Sequence, residues 1–342
     1  MEKKLFDFCI GNPPYQGNNN ENGRQPPVYH EFMNAAYSIA DTVELITPAR
    51  FLFNAGQTPK SWNHEMLNDE HFSVLKYESD ASKIFSNTEI KGGVAVHIRD
   101  DHKNYGAIKV FTSFPELNHI IKKVKPYNQT TIDTIVSSRG NYRTTEHFFK
   151  DFPFASSRLG KGTGNMIASN FFEKLPEVYT SGSPTFEDVS FLCRINNART
   201  YCNIKKKYIQ SNSFLDKYNV ACPKSNGNGV FGEMLTATEI LQMGEGATDT
   251  FISIGKFDTL IEAEYLQKYI KTKFFRTMLG VKKVTQDNPK SVWDMIPLQN
   301  FTSSSDIDWS KSIHEIDQQL YKKYGLTDEE IQFIETNVKE MV

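Results

Sequence analysis

The first part of the chain alternates between short apolar runs and apolar residues at helical spacing. An apolar run over 5–10 that ends at Gly11 predicts a buried strand, and a run over 43–48 predicts the next, parallel strand. Between them, apolar residues three or four positions apart predict a helix over 28–40. The same patterns continue as helices over 62–67 and 116–124 and strands over 72–77, 94–98 and 106–114. This alternation predicts an α/β domain over 1–125.

The pattern changes after this region. From about 126 to 300, short strands, polar turns and scattered aromatic residues predominate, and helical spacing returns only over 259–275. Two amphipathic helices follow near the end of the sequence. Gly325 is expected to end the first, and Thr327 with Glu330 forms a capping box for the second. These features predict a mixed α+β domain over 126–342.

Charge is distributed unevenly along the 342 residues, although the net charge is only −2. Residues 121–290 carry 24 basic and 16 acidic side chains, a net charge of +8. Residues 1–120 carry a net −4 and residues 291–342 a net −6. A basic middle between acidic ends favours a segment that contacts phosphates. A solvated surface with an accidental imbalance is the alternative.

Cysteine usage and the apolar runs bear on the compartment. The four cysteines have no spacing typical of a metal site, so we expect no bound metal and reduced, cytoplasmic thiols. The N-terminal residues lack the apolar core of a signal peptide, and no apolar stretch reaches 18 residues. We therefore expect a cytoplasmic protein without a membrane partner.

A rigid polar turn follows the first predicted strand and consists of Asn12, Pro13, Pro14 and Tyr15. The two prolines lack an N–H and have a fixed φ, so the turn cannot easily join a sheet or a helix. In open α/β sheets, ligands bind at this carboxyl end of the strands. An exocyclic amine could donate both its protons to the Asn12 side-chain oxygen and a prolyl carbonyl, beside the Tyr15 ring. The turn is thus a candidate site for a flipped base, although an Asn-Pro-Pro turn also occurs by chance.

With the residues before it, the turn reads Ile10-Gly11-Asn12-Pro13-Pro14-Tyr15. This resembles motif IV of the adenine-specific (N6) DNA methyltransferases, in particular the restriction–modification methylases of the type II and type IIG kind. The resemblance is also strong at 43–53, 83–98 and 275–331. It implies an α/β fold in which a partial Rossmann-like methyltransferase sheet is followed by a mixed α+β target-recognition domain. Residues 1–125 would be the C-terminal half of the catalytic domain, from motif IV to motif VIII, and 126–342 the target-recognition domain with C-terminal helices.

The same resemblance implies a mechanism. Two aromatic rings would hold the flipped adenine, and the matching positions are Tyr15 and Phe85. Ordinary core packing is the alternative for Phe85. Asn12 and the Pro13 carbonyl would accept hydrogen bonds from the N6 amine, within the turn that Pro14 helps to fix. The implied activity is site-specific methyl transfer from S-adenosylmethionine to double-stranded DNA.

Basic residues mixed with aromatic ones suit contacts with phosphates and bases. The predicted DNA contacts are Arg139, Arg143, Lys205, Lys206, Lys207, Lys282 and Lys283. A solvated loop is the alternative for each of them. The large basic region favours duplex DNA over RNA or a protein glutamine, which Asn-Pro-Pro-Tyr sites also methylate.

The cofactor half of such an enzyme has no counterpart in the sequence. In these methylases a glycine-rich turn before motif IV binds S-adenosylmethionine, and nothing before residue 5 can supply it. The glycine pairs at 244/246 and 227/229 follow no convincing strand, so we expect the cofactor site to lie outside this chain. The chain would then be a fragment, a truncated gene product, or the partner of a second polypeptide that carries the cofactor half.

A split sheet would leave the strand over 5–10 next to an uncovered or partner-paired edge. The alternative function is a non-catalytic DNA-binding or specificity subunit that retains the methylase scaffold.

Overall fold

A computed structural model of the protein describes residues 4–17, 25–85, 90, 92–124, 130–160, 162, 164–227, 229–283 and 285–341. The chain divides into two compact units, Met1–Asn118 and His119–Val342, where the sequence had suggested a division after residue 125. Both helices and sheets are present, so the protein is of mixed α/β type. No helix in the described ranges is both long and apolar enough to cross a membrane.

The first unit contains a mixed four-stranded sheet within its described residues. Its elements are β1 (Phe6–Gly11), α1 (Tyr29–Ile39), β2 (Ala40–Pro48), α2 (Lys60–Asn68), β3 (Phe72–Glu78) and β4 (Val94–Asp100), and α3 (Pro115–Val124) follows. The strand order is β1-β2-β4-β3. As predicted, β1 and β2 are parallel, whereas β4 is antiparallel to both of its neighbours. The core of the unit packs around Phe51, Trp62 and Phe72.

The apolar run over 5–10 does form a strand, but the prediction that it is buried is wrong. Phe6, Phe8 and Ile10 are 55%, 71% and 77% exposed. The reason is the position of β1 at the edge of the sheet, where it pairs only with β2 in the described part of the chain. The expectation of an uncovered sheet edge at this strand is therefore confirmed.

The strand predicted over 106–114 is absent from this described segment. Its backbone instead makes single hydrogen bonds, one of them from the Lys109 N–H to the carbonyl of Leu67 in α2 over 2.7 Å. Lys109 also has a φ of +57°, which no strand accommodates. The apolar residues of this stretch belong to irregular chain that packs on the unit.

The second unit contains two three-stranded sheets among its described residues, with orders β6-β5-β9 and β10-β7-β8. The strands are β5 (Asp188–Ile195), β6 (Ala198–Lys205), β7 (Tyr218–Pro223), β8 (Glu239–Leu241), β9 (Glu245–Ala247) and β10 (Phe251–Phe257). The helices are α4 (Glu146–Asp151), α5 (Ala155–Arg158), α6 (Phe171–Lys174), α7 (Leu260–Lys271), α8 (Lys273–Gly280), α9 (Ile313–Lys323) and α10 (Asp328–Asn337). Apart from α7 to α10, these helices are short, as the sequence pattern predicted.

The single helix predicted over 259–275 is in fact two helices that meet at Thr272. Thr272 leaves the helical conformation with a ψ of 148°, and its hydroxyl accepts a hydrogen bond from the Phe275 N–H. The Asp317 carboxylate accepts the next two free N–H groups, those of Lys273 and Phe274, each over 2.9 Å. A side chain from α9 therefore begins α8, which the local pattern could not reveal. The capping box of Thr327 and Glu330 that begins α10 is confirmed.

Candidate functional site

The turn of Asn12 to Tyr15 lies directly after β1, at the carboxyl end of the sheet's edge strand. Asn12 is exposed and Pro13 is half-buried. Backbone hydrogen bonds fix the far end of the turn: the Tyr15 carbonyl accepts the Val28 N–H over 3.1 Å, and Gly17 N–H donates to Pro26 over 2.9 Å. The Asn12 side chain is thus held at the surface by a chain that is anchored on both sides.

Tyr15 is half-buried, as is Pro13, and its ring packs against the core of the first unit. Burial raises the pKa of the Tyr15 phenol, and the nearby Asn12 side chain partly offsets this rise in pKa. The Tyr15 hydroxyl has no hydrogen bond of good geometry to any described residue. A neutral ring next to an exposed amide is the arrangement that a base-binding turn requires.

Phe85, the second predicted stacking residue, does lie beside Tyr15. The ring centroids are 6.4 Å apart and the rings meet edge to face, at 71°. Phe85 follows a single helical turn, Ala81–Lys83, that begins at Asp80, and its N–H donates to the Ala81 carbonyl over 2.8 Å. The two rings are therefore neighbours but not parallel, so one of them must turn before a base can lie flat between them. Residues 86–89 and 91 of the predicted stacking loop lie outside the described residues.

Gly93 directly precedes β4 and has a backbone conformation that requires glycine. Its φ is +73°, and a Cβ atom on it would come within 2.2 Å of the Glu78 carbonyl oxygen. Its N–H donates to the Ile90 carbonyl and its carbonyl accepts the Ala49 N–H. Only glycine combines this backbone conformation with so close an approach. A glycine is therefore required at this position, directly before β4.

Five of the predicted DNA contacts, Arg139, Arg143, Lys205, Lys206 and Lys207, are exposed or half-buried in the second unit. Most of them already have polar partners. Arg139 pairs with Asp249, Arg143 donates to Asn165, Lys205 pairs with Asp188, and Lys207 pairs with Asp151. Lys206 has no ion pair among the described residues. All five remain accessible to a phosphate.

Hydrogen bonds join the segment that carries Arg143 to the segment that follows Lys205 and Lys206. The Arg143 carbonyl accepts the Gln210 N–H over 2.9 Å, and the Thr145 hydroxyl donates to the Lys207 carbonyl over 2.9 Å. The segment that carries Arg139 and Arg143 therefore runs beside the end of the lysine run. The structure brings these two predicted basic segments together.

The two remaining predicted contacts, Lys282 and Lys283, differ from each other. The Lys282 side chain is 30% exposed and pairs with Asp294, whereas that of Lys283 is only 3% exposed. The Lys283 ammonium pairs with Glu233 and donates to the carbonyls of Asn226 and Thr285. All three of its protons are used inside the unit, so the prediction that Lys283 contacts DNA is wrong.

Neither glycine pair that the sequence offered as a cofactor turn fits that role. A Cβ atom on Gly246 would lie 2.7 Å from the Phe191 ring, so this glycine allows close packing in the core of the second unit. A Cβ atom on Gly227 would lie 2.2 Å from the Glu233 carboxylate, which is paired with Lys283. Gly246 thus serves core packing and Gly227 the close approach of an ion-paired carboxylate, and the described residues offer no other glycine-rich strand-to-helix turn for S-adenosylmethionine.

Sequence reasoning missed a set of polar residues in the second unit. Lys224, Asp249, Asn288 and Lys290 line one cavity together with Arg139. They lie far apart in the sequence, and the signal that could have found them is weak. Only Arg139 stood in a segment with a recognisable mixture of basic and aromatic residues.

Residues 1–85 match the sequence model of the Eco57I restriction-modification methylase family. The match contains the Asn12–Tyr15 turn and Phe85, and it confirms the resemblance to restriction–modification methylases. No curated protein matches the sequence.

Among solved structures, the chain is similar to the type IIG restriction endonuclease BpuSI, with 9% identity, a TM-score of 0.30, and coverage of 97% of this chain and 54% of BpuSI. The type IIL restriction-modification enzyme MmeI, solved in complex with DNA, gives 11% identity, a TM-score of 0.32, and coverage of 96% and 56%. The ATP-dependent type ISP enzyme LlaBIII bound to DNA gives 10% identity, a TM-score of 0.25, and coverage of 97% of this chain and 29% of LlaBIII. The chain thus spans about half the length of BpuSI and of MmeI.

Proposed function

We propose that this chain belongs to a site-specific adenine-N6 DNA methyltransferase of the restriction–modification type. One observation carries the proposal. The segment that matches the methylase family contains the Asn12–Tyr15 turn, and this turn holds an exposed amide beside a half-buried ring at the end of a strand. The contact between Tyr15 and Phe85 within the same segment supports it.

The residues of the turn have distinct roles in this proposal. The Asn12 side-chain oxygen and the Pro13 carbonyl accept the two protons of the adenine N6 amine, which leaves its lone pair directed at the methyl donor. Pro14 holds these two acceptors in place, because proline has a fixed φ. Tyr15 supports one face of the base, and Phe85 turns to support the other. The first unit therefore acts as the C-terminal half of a Rossmann-like catalytic domain.

S-adenosylmethionine would supply the methyl group in this reaction. Neither candidate glycine pair in the described residues fits this cofactor, because Gly246 packs against the Phe191 ring and Gly227 lies against the Glu233 carboxylate. The proposal therefore assigns the cofactor-binding half to polypeptide outside the described residues. The exposed edge of β1 supports this assignment, since Leu5, Phe8 and Ile10 are each more than 70% exposed there. A further strand could pair with the free backbone groups of this edge, and polypeptide packed on the faces of the extended sheet would cover these side chains.

The second unit serves in this proposal as the target-recognition domain that binds double-stranded DNA. The net charge of +8 over 121–290 and the adjacent basic segments around Arg143 and Lys207 support this role. Duplex DNA carries a dense row of phosphates, so such a surface contributes affinity at any sequence. The side chains that read the target bases would have to lie in the same unit.

The proposal is tested by methyl transfer from labelled S-adenosylmethionine to DNA. The chain is assayed alone and together with the polypeptides encoded next to it, so that a separate cofactor half can complement it. Asn12→Ala should abolish transfer in any active assembly and leave the affinity for duplex DNA within a few-fold, because the amide contacts only the flipped base. Asn68→Ala is the matched control, since Asn68 is an exposed asparagine of the same unit at the end of α2. Full activity of Asn12→Ala would refute the assignment.

A non-catalytic DNA-binding subunit is the second candidate function. It is favoured by the close contacts of Gly246 and Gly227, and by the edge-to-face arrangement of Tyr15 and Phe85, whose rings are not parallel as a base stacked between them requires. Titration with S-adenosylmethionine separates the two functions. Duplex binding without cofactor binding or methyl transfer, with every candidate partner, would establish this second function in place of the first.

A further inference from the structure

The second unit contains a cavity of about 290 Å³ that none of the methylase chemistry above uses. We call it the Arg139 cavity. It is lined by residues 137–142, 247–249, 251–253 and 288–290, with Ile167 and Lys224. Its volume is close to that of small-ligand pockets, which begin at roughly 300 Å³. A nucleobase with part of its sugar fits such a space.

The cationic side chains of the cavity are organised by one carboxylate. Asp249 accepts the Lys224 ammonium over 2.8 Å and the Gly140 N–H over 3.3 Å, and it lies 3.5 Å from Arg139 Nε. The Arg139 side chain is 73% exposed, and Lys290 is exposed without an ion pair among the described residues. Three cations against one carboxylate leave the cavity with an excess of positive charge. An anion at its mouth would be attracted.

The interior of the cavity combines apolar walls with unused polar atoms. Tyr142 and Phe251 are buried walls. Asn288 is fully buried and its Oδ1 has no hydrogen-bond partner in the described chain, although its Nδ2 donates to the Pro223 carbonyl. Asn141 likewise keeps a buried Nδ2 without a partner among those residues. Buried polar groups are nearly always satisfied, so this acceptor and this donor indicate a missing partner with the opposite groups.

We propose that the Arg139 cavity binds one nucleotide of a DNA strand. Arg139 and Lys290 contact the phosphate, and the base enters between the apolar walls, where its edge donates to Asn288 and accepts from Asn141. A phosphate alone would not fill apolar walls, and an apolar ligand would leave both amide atoms and the cations unused. Only a flat heterocycle that carries an anion satisfies all three features. The inference rests on the proposed function in taking DNA as the ligand.

Photocrosslinking tests the location directly and needs no substitution. Single-stranded and duplex DNA that carry bromouracil in place of thymine are bound to the full chain without S-adenosylmethionine, irradiated, and the crosslinked peptides are sequenced by mass spectrometry. We expect crosslinks in 137–142, 247–253 or 288–290, where Tyr142 and Phe251 line the cavity. Crosslinks found only elsewhere in the chain, or no binding of either DNA, would overturn the proposal.

Two substitutions then separate the phosphate contact from the base contact. Arg139→Ala should weaken binding of a short oligonucleotide about tenfold at low salt and reduce the salt dependence. Asn141→Ala should alter the preference among homopolymers and leave the salt dependence unchanged. Arg158→Ala is the matched control, because Arg158 is another exposed arginine of this unit paired with a carboxylate, that of Glu177. Circular dichroism verifies that each variant is folded.

The outcomes also distinguish this proposal from the proposed function. Equal affinities of the Arg139→Ala and Arg158→Ala variants, or an unchanged base preference in Asn141→Ala, would overturn the cavity assignment and leave methyl transfer untouched. Binding of free deoxynucleoside monophosphates without binding of any DNA would overturn it as well. Loss of methyl transfer with intact crosslinks in the cavity would instead refute the catalytic assignment alone.

Discussion

Two adjacent lysines provide a sharp test of how the second unit uses its basic residues. Lys283 is buried with the Glu233 carboxylate and two backbone carbonyls, whereas Lys282 lies at the surface with Asp294. We consider Lys283→Met and Lys282→Met, since methionine keeps most of the apolar stem and removes only the ammonium. Lys283→Met leaves the mostly buried Glu233 carboxylate without its lysine, whereas Lys282→Met leaves the more exposed Asp294 carboxylate without its lysine.

The magnitudes follow from that burial. Removing the Lys283 ammonium leaves the Glu233 carboxylate, whose side chain is only 15% exposed, without the charge that neutralises it. Removing one partner of a buried pair costs about 3–5 kcal/mol of folding free energy. The Lys282 pair has side chains that are 30% and 36% exposed, and a surface pair contributes about 0.2–1 kcal/mol. The expected difference between the variants is therefore about 2–5 kcal/mol.

Urea unfolding followed by tryptophan fluorescence measures this difference. Trp293 is fully buried in the second unit and reports on it directly. We expect a large loss of stability for Lys283→Met and a small one for Lys282→Met. At conditions where both variants are folded, Lys283→Met should bind duplex DNA like the unsubstituted chain. Equal stabilities of the two variants, or a specific loss of DNA affinity in Lys283→Met, would refute this description of the lysine.

Two further predictions concern the first unit. Burial lowers the pKa of His97 to about 3 from 6.5, so the unfolded chain takes up this proton first as the pH falls. The free energy of unfolding should then decrease by up to about 1.4 kcal/mol per pH unit below the pKa of the unfolded chain. Urea unfolding at several pH values should show a weaker pH dependence of stability for His97→Gln, and equal pH dependence in both proteins would disprove this role of His97. Gly93→Ala should destabilise the unit by more than Gly106→Ala, because both have φ above +70° but only at Gly93 would a Cβ atom meet the Glu78 carbonyl. Equal midpoints in thermal unfolding would count against this reading of Gly93.

Elements set by local patterns could be predicted from the sequence. The helix over 62–67 and the strands over 43–48 and 72–77 occur as α2, β2 and β3. The spacing of the apolar residues within each segment is enough to indicate the type of element. The segment over 106–114 also contains apolar residues, but it forms no strand in the structure. Its Lys109 N–H donates to the carbonyl of Leu67 in α2, a residue distant in the sequence that no local pattern points to.

Burial was harder to predict than secondary structure. The run around Phe8 is as apolar as a core strand, yet it lies at a sheet edge. An apolar sequence indicates that a segment favours burial, but not which polypeptide covers it. The same limit explains Lys282 and Lys283, which are neighbours in the sequence and have opposite environments.

In the candidate site, too, contiguous residues could be found from the sequence, whereas contacts between distant residues could not. The Asn12–Tyr15 turn could be found from the sequence because its four residues are contiguous and the prolines fix their geometry. That Tyr15 and Phe85 lie close together could be predicted only from the family resemblance. The structure adds that the two rings meet edge to face, at 71°. The Arg139 cavity draws on five separate places in the chain, and no local pattern unites them.

The most direct test of the central claim is the identity of the methylated nucleoside. DNA is incubated with the chain, its complementing polypeptide and S-adenosylmethionine, then digested to nucleosides and analysed by mass spectrometry. We predict N6-methyldeoxyadenosine from the unsubstituted chain and none from Asn12→Ala. Methylation of cytosine, or undiminished methyladenine from the Asn12→Ala variant, would contradict the claim that this turn positions an adenine amine.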